Sequence, residues 1–261
     1  MRLLAIFVAL ALAFADQRPP SIRDDDFSWT WRGGVTTAHS AADTLVVKTR
    51  NAGRPPRQTD PAGSQLLDEI FNIAVFPRAL SASSLGLVQD WLNSVMRTGN
   101  LYLTAGMDAP GIKNDDAAIA SLAQENIVTY GPEVGRYFDA ALQLISELDD
   151  AMYQIVSNHP NQLSPTENQL NELITKETTI LLTDVLDAMT MPEIGKQWQN
   201  ERMSELRTVG AGAARFLLSP EQKRSVRRAA EAAENATSDQ DLKDKLTEFS
   251  LSFREPTAES R

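Results

Sequence analysis

Hydrophobic residues recur at helical spacing along most of the chain after residue 63. The clearest run follows Pro132, where apolar positions alternate four and three residues apart, as in the seam of a helical bundle. These positions are Val134, Phe138, Ala141, Ile145, Leu148, Met152 and Ile155. The pattern predicts about six or seven packed helices in one bundle domain over residues 64–250.

The first part of the chain has a pattern typical of strands. Aromatic and hydroxyl side chains alternate from Phe27 to Trp31, and β-branched residues are concentrated between Thr44 and Thr49. The expected element is a short β-hairpin arm over residues 16–50, preceding the bundle. Two strands alone are marginally stable in water, so the arm is expected to pack on the helices.

Composition predicts the remaining segments. Residues 51–63, "NAGRPPRQTDPAG", are rich in Pro, Gly and polar side chains and are expected to be a linker. Residues 251–261 are expected to be a disordered tail. The expected fold class is mainly α: a multi-helix bundle with a short N-terminal β-hairpin arm.

The N-terminus has the features of a secretory signal peptide, predicted here as residues 1–15. An apolar run from Leu3 to Ala15 follows Arg2 and stops at Asp16, and Ala13-Phe14-Ala15 is a small-residue cleavage site. A bilayer-spanning helix needs about 20 apolar residues, more than this run provides. We therefore expect an exported protein, periplasmic or secreted, that is soluble after cleavage near Ala15 and not inserted in a membrane.

The composition also excludes several functions. The net charge is −10 without a basic tail, so nucleic acid is not an expected partner. The chain has no Cys, which excludes a thiol nucleophile and a disulfide. Two histidines, His39 and His159, are too few for the usual metal centres, and no glycine-rich phosphate loop is present. We expect no cofactor and a protein or peptide as partner.

One short segment, "TAHSAAD", contains His39, Ser40 and Asp43 and could suggest a catalytic triad. Neighbouring side chains on an extended segment point to opposite faces, so His39 and Ser40 are not expected to exchange a proton.

Carboxylates in the apolar segment near Asp184 are the best candidates for catalysis. Glu177, Asp184 and Asp187 fall near one face of a predicted helix, and burial would raise their pKa values toward those of general acids. The alternative is structural, with the carboxylates capping, pairing with arginine across the bundle, or facing water. An open cleft would favour the enzyme, whereas arginine partners would favour the structural interpretation.

Two further sets are candidate partner-binding residues. Arg224, Arg227 and Arg228 form a basic patch at helical spacing, and their alternative is a solvated face mixed with glutamates. Trp29 and Trp31 could form a peptide- or sugar-binding platform, and their alternative is anchoring of the hairpin in the core.

Two Leu-Ser-Pro stretches have the signature of helix starts. Ser164 and Ser219 are suited to N-caps, proline follows each at the first helical position, and Glu167 and Gln222 can complete capping boxes. Leu218-Ser219-Pro220-Glu221-Gln222 also resembles the LTxxQ motif of Spy/CpxP-type periplasmic helical chaperones, and residues 163–167 are similar to its second copy. The resemblance implies an ATP-independent cradle of helices that holds unfolded proteins.

The function expected from the sequence is therefore an exported, non-catalytic helical protein. It would bind or hold other polypeptides in the bacterial envelope, in a chaperone-like or adaptor role. A hydrolytic or lytic enzyme using the carboxylates near Asp184 is the first alternative, and a purely structural secreted protein is the second.

Overall fold

A computed structural model describes residues 29–71, 85–109, 112–113, 115–158, 163–191 and 195–254. Ten helices and no strands occur within these residues, which confirms the prediction of a mainly helical protein. The helices are α1 (Trp29–Ala52), α2 (Pro61–Phe71), α3 (Leu85–Leu103), α4 (Asp116–Thr129), α5 (Gly131–Asn158), α6 (Pro165–Met189), α7 (Lys196–Ala211), α8 (Ala214–Leu217), α9 (Pro220–Ala236) and α10 (Gln240–Ser252).

The chain divides into two compact units, Met1–Leu144 (unit 1) and Ile145–Arg261 (unit 2). The division falls inside α5, in a segment that the sequence analysis assigned to the middle of one bundle domain. The predicted signal peptide, residues 1–15, lies outside the described residues. None of the helices in the described ranges is both long and apolar enough to cross a bilayer.

Helix α1 replaces the predicted β-hairpin arm, which is wrong for residues 29–50. Residues 16–28 of the predicted arm lie outside the described part of the chain. The helix buries Val35, Ala38, Ala42 and Leu45, whose spacing of three and four positions places them on one side of a helix. Because alanine is only weakly hydrophobic, this stripe is less conspicuous in the sequence than the short strand-like segments beside it.

The β-branched residues of α1 are compatible with the helix because their hydroxyls bond to its backbone. Thr44 Oγ1 donates to the carbonyl of Ser40 at 2.9 Å, and Thr49 Oγ1 donates to the carbonyl of Leu45 at 2.8 Å. Packing of α1 against α2 and α3 outweighs the weak β propensity of this segment.

Helix α3 approaches α5 closely in unit 1 at Gly99. A Cβ atom on Gly99 would lie 2.3 Å from Cδ2 of Tyr137, so only glycine fits against this ring. The sequence pattern predicts a helix through about Arg97 with Gly99 as its stop, but α3 continues to Leu103. The glycine serves close packing, and it does not end the helix.

The predicted linker, residues 51–63, contains the end of α1 and the start of α2, and its middle is fixed to unit 1. The Arg57 guanidinium lies 4.5 Å from the centre of the Tyr130 ring and 3.7 Å from the buried carboxylate of Glu133. Glu133 also accepts a hydrogen bond from the backbone N–H of Gln58 at 2.7 Å. The Tyr102 hydroxyl donates to the carbonyl of Pro56 at 2.7 Å, and burial, with Glu133 nearby, raises the pKa of this tyrosine.

Unit 2 is a set of packed helices in which α6 contacts α9, α9 contacts α10, and α10 contacts α7. At the last of these contacts, a Cβ on Gly210 would lie 2.9 Å from the Phe249 ring, so glycine permits the close approach of the two helices. Of the predicted α5 seam, the residues from Val134 to Met152 are buried and Ile155 is half-buried.

The predicted tail is shorter than residues 251–261. Helix α10 extends to Ser252 and Phe253 is buried, so the tail begins no earlier than Arg254. Residues 255–261 lie beyond the described ranges.

Both predicted capping boxes are present. Ser164 Oγ accepts from the N–H of Glu167 at 3.3 Å, and the Glu167 carboxylate accepts from the N–H of Ser164 at 2.7 Å. Ser219 and Gln222 make the same pair of bonds at 3.3 and 2.8 Å. The two Leu-Ser-Pro stretches therefore act locally as helix starts.

Candidate functional site

Three carboxylic acids are buried in unit 2: Asp149 on α5, and Glu177 and Asp184 on α6. Their exposed fractions are 1%, 8% and 4%. Moving an unpaired carboxylate out of water costs several kcal/mol, so these groups need either partners or protons. We call this set the carboxyl trio.

Asp149 has a hydroxyl partner on the neighbouring helix. Thr178 Oγ1 lies 3.0 Å from Oδ1 and 3.2 Å from Oδ2 of Asp149, and 2.9 Å from the carbonyl oxygen of Ile174. A hydroxyl has one proton, so it donates to one of these oxygens at a time. When Asp149 is protonated, it can donate to Thr178 while Thr178 donates to Ile174, which satisfies all three groups. Burial raises the pKa of Asp149 well above its usual value, and the bond from Thr178 opposes this only in part.

Asp184 has no positive partner. Its Oδ2 atom is buried without a hydrogen bond, and its charged neighbours are the acids Asp187 and Glu177. Burial, reinforced by both neighbours, raises the pKa of Asp184 well above its usual value. Burial also raises the pKa of Glu177 to about 7, against the opposing charge of Lys176, and raises the pKa of the half-buried Asp187.

The carboxyl trio matches neither of the two expected settings, which were an open cleft for an enzyme and arginine partners for a structural role. Within the described residues, no arginine or lysine forms a salt bridge with the carboxyl trio. A general acid must also reach its substrate, and Asp184 at 4% exposure is closed off from solvent. What the trio can do chemically is bind and release protons inside the packed helices. Asp149 could not be singled out in the sequence, because it lies in "ELDD", which reads as a solvated segment.

The three arginines predicted to bind a partner lie on α9. Arg224 and Arg228 are exposed, and Arg227 is half-buried and lies 3.6 Å from the carboxylate of Glu231. Glu221 and Glu231 are exposed on the same side of α9, so the surface there has mixed charge.

Trp29 and Trp31 begin α1, and their side chains lie outside the described part of the structure. The strand expected to carry them is a helix, and their role in binding a partner stays a prediction.

His39 and Asp43 are one turn apart on α1, since the segment predicted to be extended is helical. His39 Nε2 lies 3.6 Å from Asp43 Oδ2, and Arg97 pairs with the same carboxylate at 2.5 Å. The side chains of His39 and Asp43 are both more than half exposed.

His159, the other histidine, lies outside the described residues. No cluster of three or more potential metal ligands is found in the parts of the chain that the structure describes.

An exposed aromatic pair in unit 2 was missed by the sequence analysis. Tyr153 on α5 and Phe216 on α8 are 38% and 55% exposed, and their ring centres lie 5.2 Å apart. The Arg215 guanidinium lies 4.6 Å from the centre of the Phe216 ring. We call these three residues the aromatic patch. From the sequence, Tyr153 is expected to widen the buried seam of α5, and Phe216 is expected to face inward on one helix that begins at Pro192.

The aromatic patch is positioned by a break between α7 and α8. Gly212 and Ala213 interrupt the helices, and the N–H of Ala213 donates to Oδ1 of Asp150 on α5 at 3.2 Å. This bond fixes the start of α8 to α5 one turn before Tyr153, which brings the two rings together.

A groove of about 550 Å³ lies in unit 1, between α1, α2 and α3. Its lining includes Gly34, Gln65, Asp68 and Trp91. Two of these side chains already have partners, because Asp68 pairs with Arg136 at 2.8 Å and the Trp91 indole donates to the carbonyl of Ile70 at 2.7 Å.

Comparison with family models, with curated proteins and with solved structures finds no match to this chain.

Proposed function

We propose that the protein binds or holds other polypeptides in the bacterial envelope without a catalytic step. The observation that carries the proposal is the aromatic patch of unit 2. Exposed aromatic rings in contact bury large areas on binding at little cost in side-chain entropy. A guanidinium stacked on one ring adds a cation beside the apolar surface, which suits a polypeptide segment with apolar side chains and backbone carbonyls.

The state of the carboxyl trio supports binding over hydrolysis. Asp184 and Glu177 are at most 8% exposed, so a substrate would reach them only after the helices separate. The hydrolytic alternative therefore requires a rearrangement that the binding function does not require.

The resemblance to LTxxQ-motif chaperones agrees with this proposal and stays a prediction. Its residues, 163–167 and 218–222, form two helix starts, and capping accounts for them locally.

Export of the protein stays a prediction as well. Cell fractionation followed by mass spectrometry tests it, and the expected product begins at Asp16.

An aggregation assay tests the binding function. Light scattering of heat-denatured citrate synthase is followed with and without the purified chain, and wild type is expected to slow it. The variant Tyr153→Ser/Phe216→Ser is expected to lose most of this effect, since one aromatic anchor is typically worth about 2 kcal/mol, or roughly 30-fold in Kd.

The matched control is Val47→Ser, which removes a comparably exposed apolar residue from unit 1 (53% against 55% for Phe216). It is expected to behave as wild type, and circular dichroism checks that each variant is folded. The proposal fails if wild type leaves the scattering unchanged. It also fails if the double variant and the control protect equally well.

A further inference from the structure

The carboxyl trio is distributed over two helices of unit 2, and one of its members links them. Asp149 is on α5, whereas Glu177 and Asp184 are on α6, and Thr178 bridges the two helices through Asp149. The Oδ2 atom of Asp184 is buried without a hydrogen-bond partner, so this carboxyl is less costly to bury when a proton neutralises its charge. Nothing in the binding function proposed above uses these groups.

The neighbouring charges on the same two helices are mostly acidic. Asp150 follows Asp149 on α5, and Asp187 lies one turn from Asp184 on α6. Lys176 is the one cation that acts on the trio from these helices, and it acts on Glu177.

Three arginines on the elements packed against α6 have partners outside the trio, and Arg228 on α9 is exposed. On α7, Arg202 lies 3.1 Å from Glu201 and over the Trp198 ring. On α9, Arg227 pairs with Glu231. On α8, the guanidinium of Arg215 lies on an exposed ring. In the described ranges, none of these arginines forms a salt bridge with the trio.

We propose that the carboxyl trio is a proton-operated lock of unit 2. The three carboxyls hold protons while the helices of unit 2 are packed around them, and they release protons when these helices separate. Acidification therefore tightens this part of the molecule, and alkalinisation loosens it.

The sign follows from linkage. A group whose pKa is raised in the folded state contributes stability that is fully present below its unfolded pKa and is lost as the pH rises through its folded pKa. For Glu177 the window runs from 4.5 to about 7. Each pKa unit is tenfold in the opening equilibrium, so Glu177 alone can change it up to roughly 300-fold across this window. Asp149 and Asp184 act in the same direction.

Hydrogen exchange of the full chain, read by mass spectrometry at pH 5 and pH 8, tests the lock. After correction for intrinsic exchange rates, amides in residues 145–158 and 170–189 are expected to open more at pH 8. Amides of α1 in unit 1 serve as the internal reference. The variants Glu177→Gln and Asp184→Asn are expected to reduce this pH dependence, and Asp244→Asn, an exposed carboxylate on α10, is expected to leave it unchanged.

The proposal is overturned if opening of these segments is independent of pH or decreases as the pH rises. It is equally overturned if Glu177→Gln and Asp184→Asn keep the wild-type pH dependence. If either variant fails to fold, wild type alone is used. Calorimetry of its unfolding at pH 6, in buffers of different ionisation enthalpy, measures the net number of protons released on unfolding. Net proton release on unfolding supports the lock, and zero release or net uptake refutes it.

Discussion

Thr178 and Asp149 are joined by a hydrogen bond between α6 and α5, with 3.0 Å between Oγ1 and Oδ1. The threonine is completely buried and the aspartate almost so. Among the described residues, this contact is the one polar link between the carboxyl trio and a neutral side chain, and its contribution can be measured.

Thr178→Val keeps the shape of the side chain and removes the hydroxyl. We expect unit 2 to lose about 1–3 kcal/mol of unfolding free energy, because Asp149 is left buried without its partner. Urea denaturation followed by circular dichroism measures the change. Thr179→Val is the control, since its hydroxyl bonds only to the carbonyl of Thr175 in its own helix, and it should cost much less. Equal effects of the two substitutions would contradict the assigned role of Thr178.

Gly99→Ala tests the contact between α3 and α5 in unit 1. The new methyl group would overlap the Tyr137 ring, and overpacking of this kind typically costs about 1–3 kcal/mol. Gly33→Ala is the matched control on α1, where no atom lies within 4 Å of the new methyl group. It is expected to stabilise the helix by about 0.5–1 kcal/mol. Thermal unfolding should therefore shift in opposite directions for the two variants.

Asn126→Ala removes a side chain that anchors the end of α3. Its Nδ2 group donates to the carbonyls of Leu103 and Ala105, both at 2.9 Å, and the residue is 5% exposed. We expect a loss of about 1–3 kcal/mol, since two carbonyls lose their donor. Gln124→Ala, at an exposed position of the same helix, is expected to change the urea midpoint little. A small effect at both positions would argue against the anchor.

Ser219→Ala removes the N-cap of α9. The expected cost is about 1 kcal/mol, as for other serine caps. Ser225→Ala is the control, because it lies at an exposed position inside the same helix. If binding of denatured clients falls while the folded fraction is unchanged, the Leu-Ser-Pro stretch has a role beyond capping.

Features determined by short-range rules could be predicted from the sequence. The capping boxes at Ser164 and Ser219 depend on four consecutive residues, and the α5 seam depends on regular spacing within one segment. Both are therefore visible without knowledge of the fold. The strand prediction for α1 failed because its buried stripe contains small alanines and its burial depends on α2 and α3.

The candidate site depends on long-range contacts and was predicted only in part. Asp184 attracted attention because it interrupts an apolar segment, and Glu177 because it falls near the same helical face. Asp149 did not, since only the packing of α5 on α6 turns one acid of "ELDD" inward. The aromatic patch depends on the break at Gly212, which reorients Phe216 relative to the helix that the sequence predicted.

The contact between Gly99 and Tyr137 also restricts how this sequence can diverge. A relative that retains the tyrosine must retain the glycine, whereas a relative with a smaller side chain at 137 can accept alanine or serine at 99. When homologous sequences are compared, these two positions should covary, and their joint replacement would mark lineages in which compensating volumes keep α3 and α5 equally close.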